Sequence, residues 1–168
     1  YFPLNARINR EGYDSLDAVK QRSLRPLSVE EFKKVVADGA WILDTRAATV
    51  FTEAFIPDSI SIGLDGRFAE WAGILLPFDQ PLVLVTEPGK EEESVVRLAR
   101  VGIDNVKGYL DGGVAAWQAA GEQIDMIIDV EPEELAIDIP HDPKLEVLDV
   151  RKVTEYEAGH VKGATNVP

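Results

Sequence analysis

The chain has 168 residues, 45% of them apolar, which suits one domain, or one domain and a fragment, around a real core. Its formal charge of −13, from 30 acids against 17 scattered Lys and Arg, argues against nucleic acid or an anionic membrane surface as partner, since both need a basic face. There is no cysteine, so disulfides, thiolate nucleophiles and thiolate metal sites within the chain are excluded, and no apolar run approaches the roughly 18 residues of a membrane span.

No basic stretch followed by an apolar one opens the chain, so no secretion signal is visible and a cytoplasmic location is expected. The chain begins at Tyr1 and reads as an excised piece of a longer protein, which leaves an upstream signal open. Residues 1–27 mix polar residues with few periodic apolar positions. They read as a linker or the tail of an upstream module, with SLDAVKQR as a short helix. Order sharpens at Ser28, where Ser28-Val29-Glu30-Glu31 fits a capping box and EEFKKVVADG a helix closed by Gly39. AWILD (40–44) reads as a buried strand, TVFTEAF as one or two helical turns, SISIGL as a short strand and RFAEWAGIL as a helix. PLVLVT (81–86) is the next strand, ESVVRLARVG a helix ending at Gly102, NVKGYL a strand, and GGVAAWQAAG a helix stopped by Gly121. EQIDMIIDV follows as a strand or connector. Alternating β and α elements predict a parallel sheet covered by helices on both faces.

Beyond Gly121 the pattern begins again. Residues 41–62 (WILDTRAATVFTEAFIPDSISI) align with residues 146–167 (EVLDVRKVTEYEAGHVKGATNV) at an offset of 105 residues. Leu43, Asp44, Arg46 and Thr49 match Leu148, Asp149, Arg151 and Thr154, and the preceding VEEF recurs as PEEL. So long a period means tandem domains rather than a solenoid. The expected division is a linker over 1–27, a first domain over 28–125, and the start of a second over 126–168. EVLDV (146–150) would leave an apolar edge open, so the tail is expected to pack against the first domain or another chain.

These segments carry a family likeness. ILDTR with IPDSISI, VLDVRKVTEYEAGHVKGATNVP, and the closing VKGYLDGGVAAWQAAG resemble the rhodanese homology domain. The resemblance implies an α/β fold with a five-stranded, mainly parallel sheet flanked by helices, plus the start of a second such domain. Active members of the family transfer sulfane sulfur from thiosulfate or a persulfide to a thiol or cyanide. Their nucleophile is a Cys opening a six-residue loop after the fourth strand, often C-x-x-G-x-R. On this chain that loop is Thr86-Glu87-Pro88-Gly89-Lys90-Glu91, with Thr86 in place of the Cys and Glu91 in place of the Arg. The opening YFPLNARINREGY resembles the segment joining a metallo-β-lactamase-fold hydrolase, as in persulfide dioxygenases, to C-terminal rhodanese domains. The implied partners are a fused upstream hydrolase-like module and a downstream rhodanese unit, with a homo-oligomer as a further expectation. None of the hydrolase's metal-binding motif is present.

The chemistry of the loop can be weighed without the family. A Thr hydroxyl cannot carry sulfane sulfur, and it needs a neighbouring base to attack anything else. The two histidines, His141 and His160, are distant in sequence. Glu87, Glu91, Glu92 and Glu93 oppose an anion at the helix start, and acids there have a plain role in stabilising the helix dipole. Asp44 with Arg46, and Asp149 with Arg151, read as ties from a strand end to neighbouring backbone. Gly112 and Gly113 read as a strand-to-helix turn, and Trp41, Trp71 and Trp117 as core or interface anchors. No cluster has metal-ligand spacing. The chain itself is therefore expected to have no catalytic residue, cofactor or metal, and to act as an interaction module. The alternative is a fragment of a sulfurtransferase or persulfide dioxygenase whose reactive Cys lies past Pro168.

Overall fold

A computed structural model describes residues 15–168. The YFPLNARINREGY segment lies outside the described residues. The chain divides into two compact units between Ile127 and Ile128.

In the first unit, helix α1 (Leu16–Ser23) starts where the Ser15 side chain accepts the Ala18 N–H at 3.2 Å. Strand β1 (Pro26–Leu27) leads into α2 (Val29–Ala37). The predicted capping box is formed: Glu31 Oε2 accepts the Ser28 N–H at 3.0 Å, and Ser28 Oγ accepts the Glu31 N–H at 3.3 Å. Then follow β2 (Trp41–Asp44), α3 (Ala48–Glu53), β3 (Ile60–Ser61), α4 (Phe68–Leu75), β4 (Leu82–Val85), α5 (Glu91–Ala99), β5 (Val106–Leu110) and α6 (Gly113–Ala119). The strands form one sheet in the order β1-β5-β4-β2-β3, and every pairing is parallel.

Period-2 alternation along the strands builds an apolar layer on each face. Leu82 and Leu84 of β4 join Leu43 of β2 in a layer with Val19 of α1, Phe68 and Ala72 of α4, and Val95 and Leu98 of α5. Val83 and Val85 join Ile42 in a layer with Phe32 of α2 and Val114 and Trp117 of α6. Strand β4 is buried at all four positions, as a central parallel strand covered on both faces must be. Trp117 meets Phe32 edge-on at 5.9 Å, and its Nε1–H donates to Gln123 O at 2.8 Å. Trp41 and Trp71 are largely exposed, so neither is a core anchor.

One expectation is corrected. Residues 16–27 are not a linker: Val19 and Leu27 are core residues, and β1 is an edge strand of the sheet. The short helix expected at SLDAVKQR is present as α1, but with Val19 as its one buried apolar residue and a two-residue strand after it, its place in the core leaves no periodic pattern in the sequence. Of the two readings of 122–130, strand or connector, the connector holds. It is tied down by an antiparallel bridge in which Phe55 and Asp125 exchange two N–H···O bonds of 2.9 Å, and by the Ile127 N–H on Thr52 O at 2.9 Å.

The second unit contains α7 (Pro132–Asp138), β6 (Leu148–Asp149), α8 (Val153–Ala158) and β7 (Thr165–Asn166). It repeats β2-α3-β3 residue for residue at the 105-residue offset. Leu148 pairs with Thr165 and Asp149 with Asn166, as Leu43 pairs with Ile60 and Asp44 with Ser61. Tyr156 stacks on His160 at 3.7 Å, as Phe51 stacks on Phe55 at 4.3 Å. Arg151 grips Asp149 through Nε (2.9 and 3.1 Å) and Nη2 (2.5 Å), and also donates to Gly159 O at 2.9 Å. Its guanidinium, first by hydrogen bonding, pulls the Asp149 carboxyl down to about 2. Among the described residues no helix is long and apolar enough to cross a membrane.

Trp117→Ala should lower the stability of the first unit by about 3–5 kcal/mol, read from the urea midpoint by circular dichroism. Trp71→Ala, at a half-exposed position, should change it by less than about 1 kcal/mol. A carboxyl depressed in the folded state stabilises above its unfolded pKa and loses that contribution as pH falls through the folded value. Acidification from near 4 to about 2 should therefore loosen β6–β7 as Asp149 protonates. In an NMR titration of the Asp149 carboxyl carbon, Arg151→Gln should move the midpoint upward.

Candidate functional site

The loop that follows β4 is shaped by what lies on either side of it. The end of β4 carries the chain out of the sheet centre at Val85, and Thr86 is still buried at 6% exposure. The Lys90 N–H donates to Glu87 O at 3.0 Å, and Gly89 takes φ +82°, a left-handed value that a side chain would strain. Helix α5 then begins at Glu91 with no side-chain cap from Lys90. Glu91 turns back instead, and its Oε1 accepts the Gly89 N–H at 3.1 Å.

A buried hydroxyl pair lies behind the loop. Thr45 Oγ1 and Ser94 Oγ are 3.1 Å apart, Ser94 Oγ donates to Lys90 O at 2.7 Å, and the Thr45 N–H donates to Val85 O at 2.9 Å. These bonds tie the start of α5 to the ends of β2 and β4. Sequence reasoning missed them. Ser94, directly after an acidic run, reads as a solvated position, and only the fold brings it against Thr45.

The charges of the loop are engaged with one another. Lys90 Nζ pairs with Glu93 at 2.8 Å. That hydrogen bond, with smaller contributions from Asp65 and Glu87, raises the Lys90 pKa, and Lys90 in turn lowers that of Glu93. Glu92 pairs with Lys20 of α1, and Arg97 lies 3.6 Å from Glu93. Arg97 also donates to Leu64 O and sits over the Phe68 ring at 5.2 Å. Burial first, and then Glu91 and Asp111, pushes the Tyr109 phenol up. Loop and helix start thus hold a neutralised lysine among Glu87, Glu91, Glu92, Glu93 and Asp65. The helix-end partial charge is worth about 0.3–1 kcal/mol to an anion, too little to offset that field.

The loop residues Thr86 to Glu91 are brought together as one turn, and Thr86 stands at its mouth. The first unit contains no histidine to act as a base toward that hydroxyl. His141 and His160 belong to the second unit, where their Nδ1 atoms contact Ile137 O at 2.7 Å and Tyr156 O at 2.9 Å. Arg46 holds the buried Asp44 through Nε and Nη2 (3.0 and 2.6 Å) and donates to Ala54 O at 2.8 Å. This fastens the end of β2 to the end of α3. Gly112, the N-cap of α6, and Gly113, its first residue, take φ of +71° and +57°, and a Cβ on Gly112 would meet Ala116 Cβ at 2.9 Å. Backbone turning and close approach account for both glycines. Among the described residues no group of three or more acids or histidines could hold a metal ion.

The profile of the Rhodanese-like domain matches residues 28–120 and 124–168. No curated protein matches the chain. Among solved structures, the Alr3790 protein from Anabaena sp. is similar at 20% identity and a TM-score of 0.55, covering 61% of this chain and 94% of that one. The BH2092 protein from Bacillus halodurans is similar at 16% identity and a TM-score of 0.54, covering 72% and 94%. A rhodanese-related protein from Thermoplasma volcanium is similar at 18% identity and a TM-score of 0.50, covering 61% and 98%. At such identities the structures speak for the fold alone. The family follows from the profile, which spans most of the sequence in two stretches: this chain belongs to the rhodanese-like domain family.

Proposed function

We propose that the first unit is a non-catalytic rhodanese-homology module with an interaction or scaffolding role in a larger sulfur-metabolism protein. One observation carries the reading: the loop position that holds the family's sulfur-carrying Cys holds Thr86, in a chain without cysteine. A persulfide needs a sulfur atom to bear it, and the family's nucleophile works as a thiolate lowered in pKa by a cationic loop. Here both requirements fail together, because the atom is oxygen and the loop is anionic. Glu91, Glu92 and Glu93 instead lie in the first turn of α5, where acids favour the helix dipole, and Glu91 ties down the turn.

A second reading concerns the parent protein. The repeat of the β-α-β unit in the second half favours a tandem arrangement in which a later loop bears the reactive Cys. The parent would then be a sulfurtransferase from thiosulfate or a persulfide to a thiol. With the upstream hydrolase-like module implied by residues 1–13, it would be a persulfide dioxygenase fusion. A Cys opening a glycine-containing loop in the coding sequence that follows Pro168 would support this reading. A second non-Cys residue at that place would end it.

In a thiosulfate:cyanide assay the chain should form no thiocyanate above blank, and clear turnover would refute the silent module. Thr86→Cys alone should remain close to blank, because the glutamates raise the thiol pKa and repel thiosulfate. Combining Thr86→Cys with Glu87→Gln and Glu91→Arg should raise the rate roughly tenfold or more over Thr86→Cys alone. Equal rates for the two variants would show that loop charge is not what limits them.

A further inference from the structure

Helix α4 departs from the other helices that cover the sheet. In α2 and α5 the outward positions are charged: Glu30, Lys33 and Lys34 in one, Glu92 and Glu93 in the other, all exposed. Helix α4 reads FAEWAGIL, and Glu70 is its one polar residue. Phe68 and Ala72 lie in the core layer and are 0% exposed, but Trp71, Ile74 and Leu75 are 48%, 65% and 51% exposed. Spacing of i, i+3 and i+4 sets these three side chains in one stripe. A helix that is apolar all round is a buried helix, so the outer side of α4 has the composition of a covered surface. Its open apolar area is about 350 Å², the size at which the largest patch of a domain is often functional.

Charge narrows the choice of occupant. The chain carries −13, so two copies repel one another except where the surface is neutral. Residues 66–78 hold one base and one acid, Arg67 and Glu70. Arg67 Nε and Nη2 donate to the two Glu70 carboxylate oxygens, which raises the Arg67 pKa and lowers that of Glu70. The stripe thus sits in a patch of no net charge. Asp65, just before this segment, acts on Lys90 of the loop. Arg67 marks one end of α4, and the exposed Asp79 lies in the turn past the other. An antiparallel pair of such helices carries each Arg67 toward the Asp79 of the other copy, whereas a parallel pair sets like charge against like.

We propose that the outer face of α4 is a self-association surface, on which a second copy of this chain lays its own α4 antiparallel about a two-fold axis. With the axis near Gly73, Trp71 of each copy meets Leu75 of the other, and the same stripe is covered twice. Rim included, the contact buries about 1,000 Å², the lower edge for a specific interface, so the dimer is reversible, with a dissociation constant on the order of 10–100 µM. This contact forms whether or not the Thr86 turn is catalytically silent.

Sedimentation equilibrium of the whole chain from about 5 µM to about 1 mM should show the average mass climbing from 18.5 kDa toward twice that value. The climb should steepen in about 0.5 M salt, which screens the repulsion between acidic copies. Trp71→Ala and Ile74→Glu should each weaken association about tenfold or more, while Val50→Glu, the same charge placed on α3, should not. Circular dichroism should show all three variants folded. Because the chain has no cysteine, a single introduced one reports on geometry. Ile74→Cys, beside the axis, should crosslink into dimers with a short bis-maleimide. Arg67→Cys, about 18 Å from its mate at 1.5 Å of rise per residue, should not. A monomer at every concentration overturns the proposal and leaves the face to a different protein. Association indifferent to both Trp71→Ala and Ile74→Glu overturns it too. So does crosslinking as ready through Arg67→Cys as through Ile74→Cys, the mark of a parallel pair.

Discussion

Burial of β4 on both faces is the constraint on which the first unit rests. Four aliphatic residues in a row can be paid for only where helices cover both sides of a sheet, and the alternation of Leu82 and Leu84 against Val83 and Val85 divides the core into its two layers. The same strand fixes where the loop begins. Its end delivers Thr86 to the mouth of a turn, between the end of β2 and the start of α5. The position is thus a product of the core, and the fold keeps it whatever residue stands there.

What stands there decides the chemistry. The turn has a left-handed Gly89 and runs straight into the start of α5. The side chains have been put to other work. Glu91 bonds the Gly89 N–H, Glu93 neutralises Lys90, Glu92 reaches Lys20, and Ser94 locks onto Thr45. Together these contacts engage Lys90 and Lys20 with carboxylates and leave no strongly positive field at the turn.

Much of this was legible in the sequence because it was written in short-range terms. The Ser28–Glu31 box, the LVLV strand, the GG turn and the repeat at Asp44-x-Arg46 and Asp149-x-Arg151 are local patterns with a local physical cause. The structure adds that the repeat extends to the carbonyls gripped, Ala54 O and Gly159 O. Residues 16–27 were misread because their membership depends on Val19 and Leu27 reaching a core assembled from distant segments. The Thr45–Ser94 pair was invisible for the same reason, since the two residues are 49 apart and neither is unusual alone. Exposure of Trp41 and Trp71 was equally out of reach, because aromatic residues near a strand start and on a helix read alike whether buried or not.

The central claim is that no atom of this chain's loop can bear a sulfane sulfur. It is tested most directly by intact-protein mass spectrometry after incubation with thiosulfate or a low-molecular-weight persulfide, followed by peptide mapping of residues 81–100. The mass should be unchanged and no peptide modified. A stable sulfur adduct that maps to the Thr86–Glu91 turn and is discharged by cyanide would contradict it.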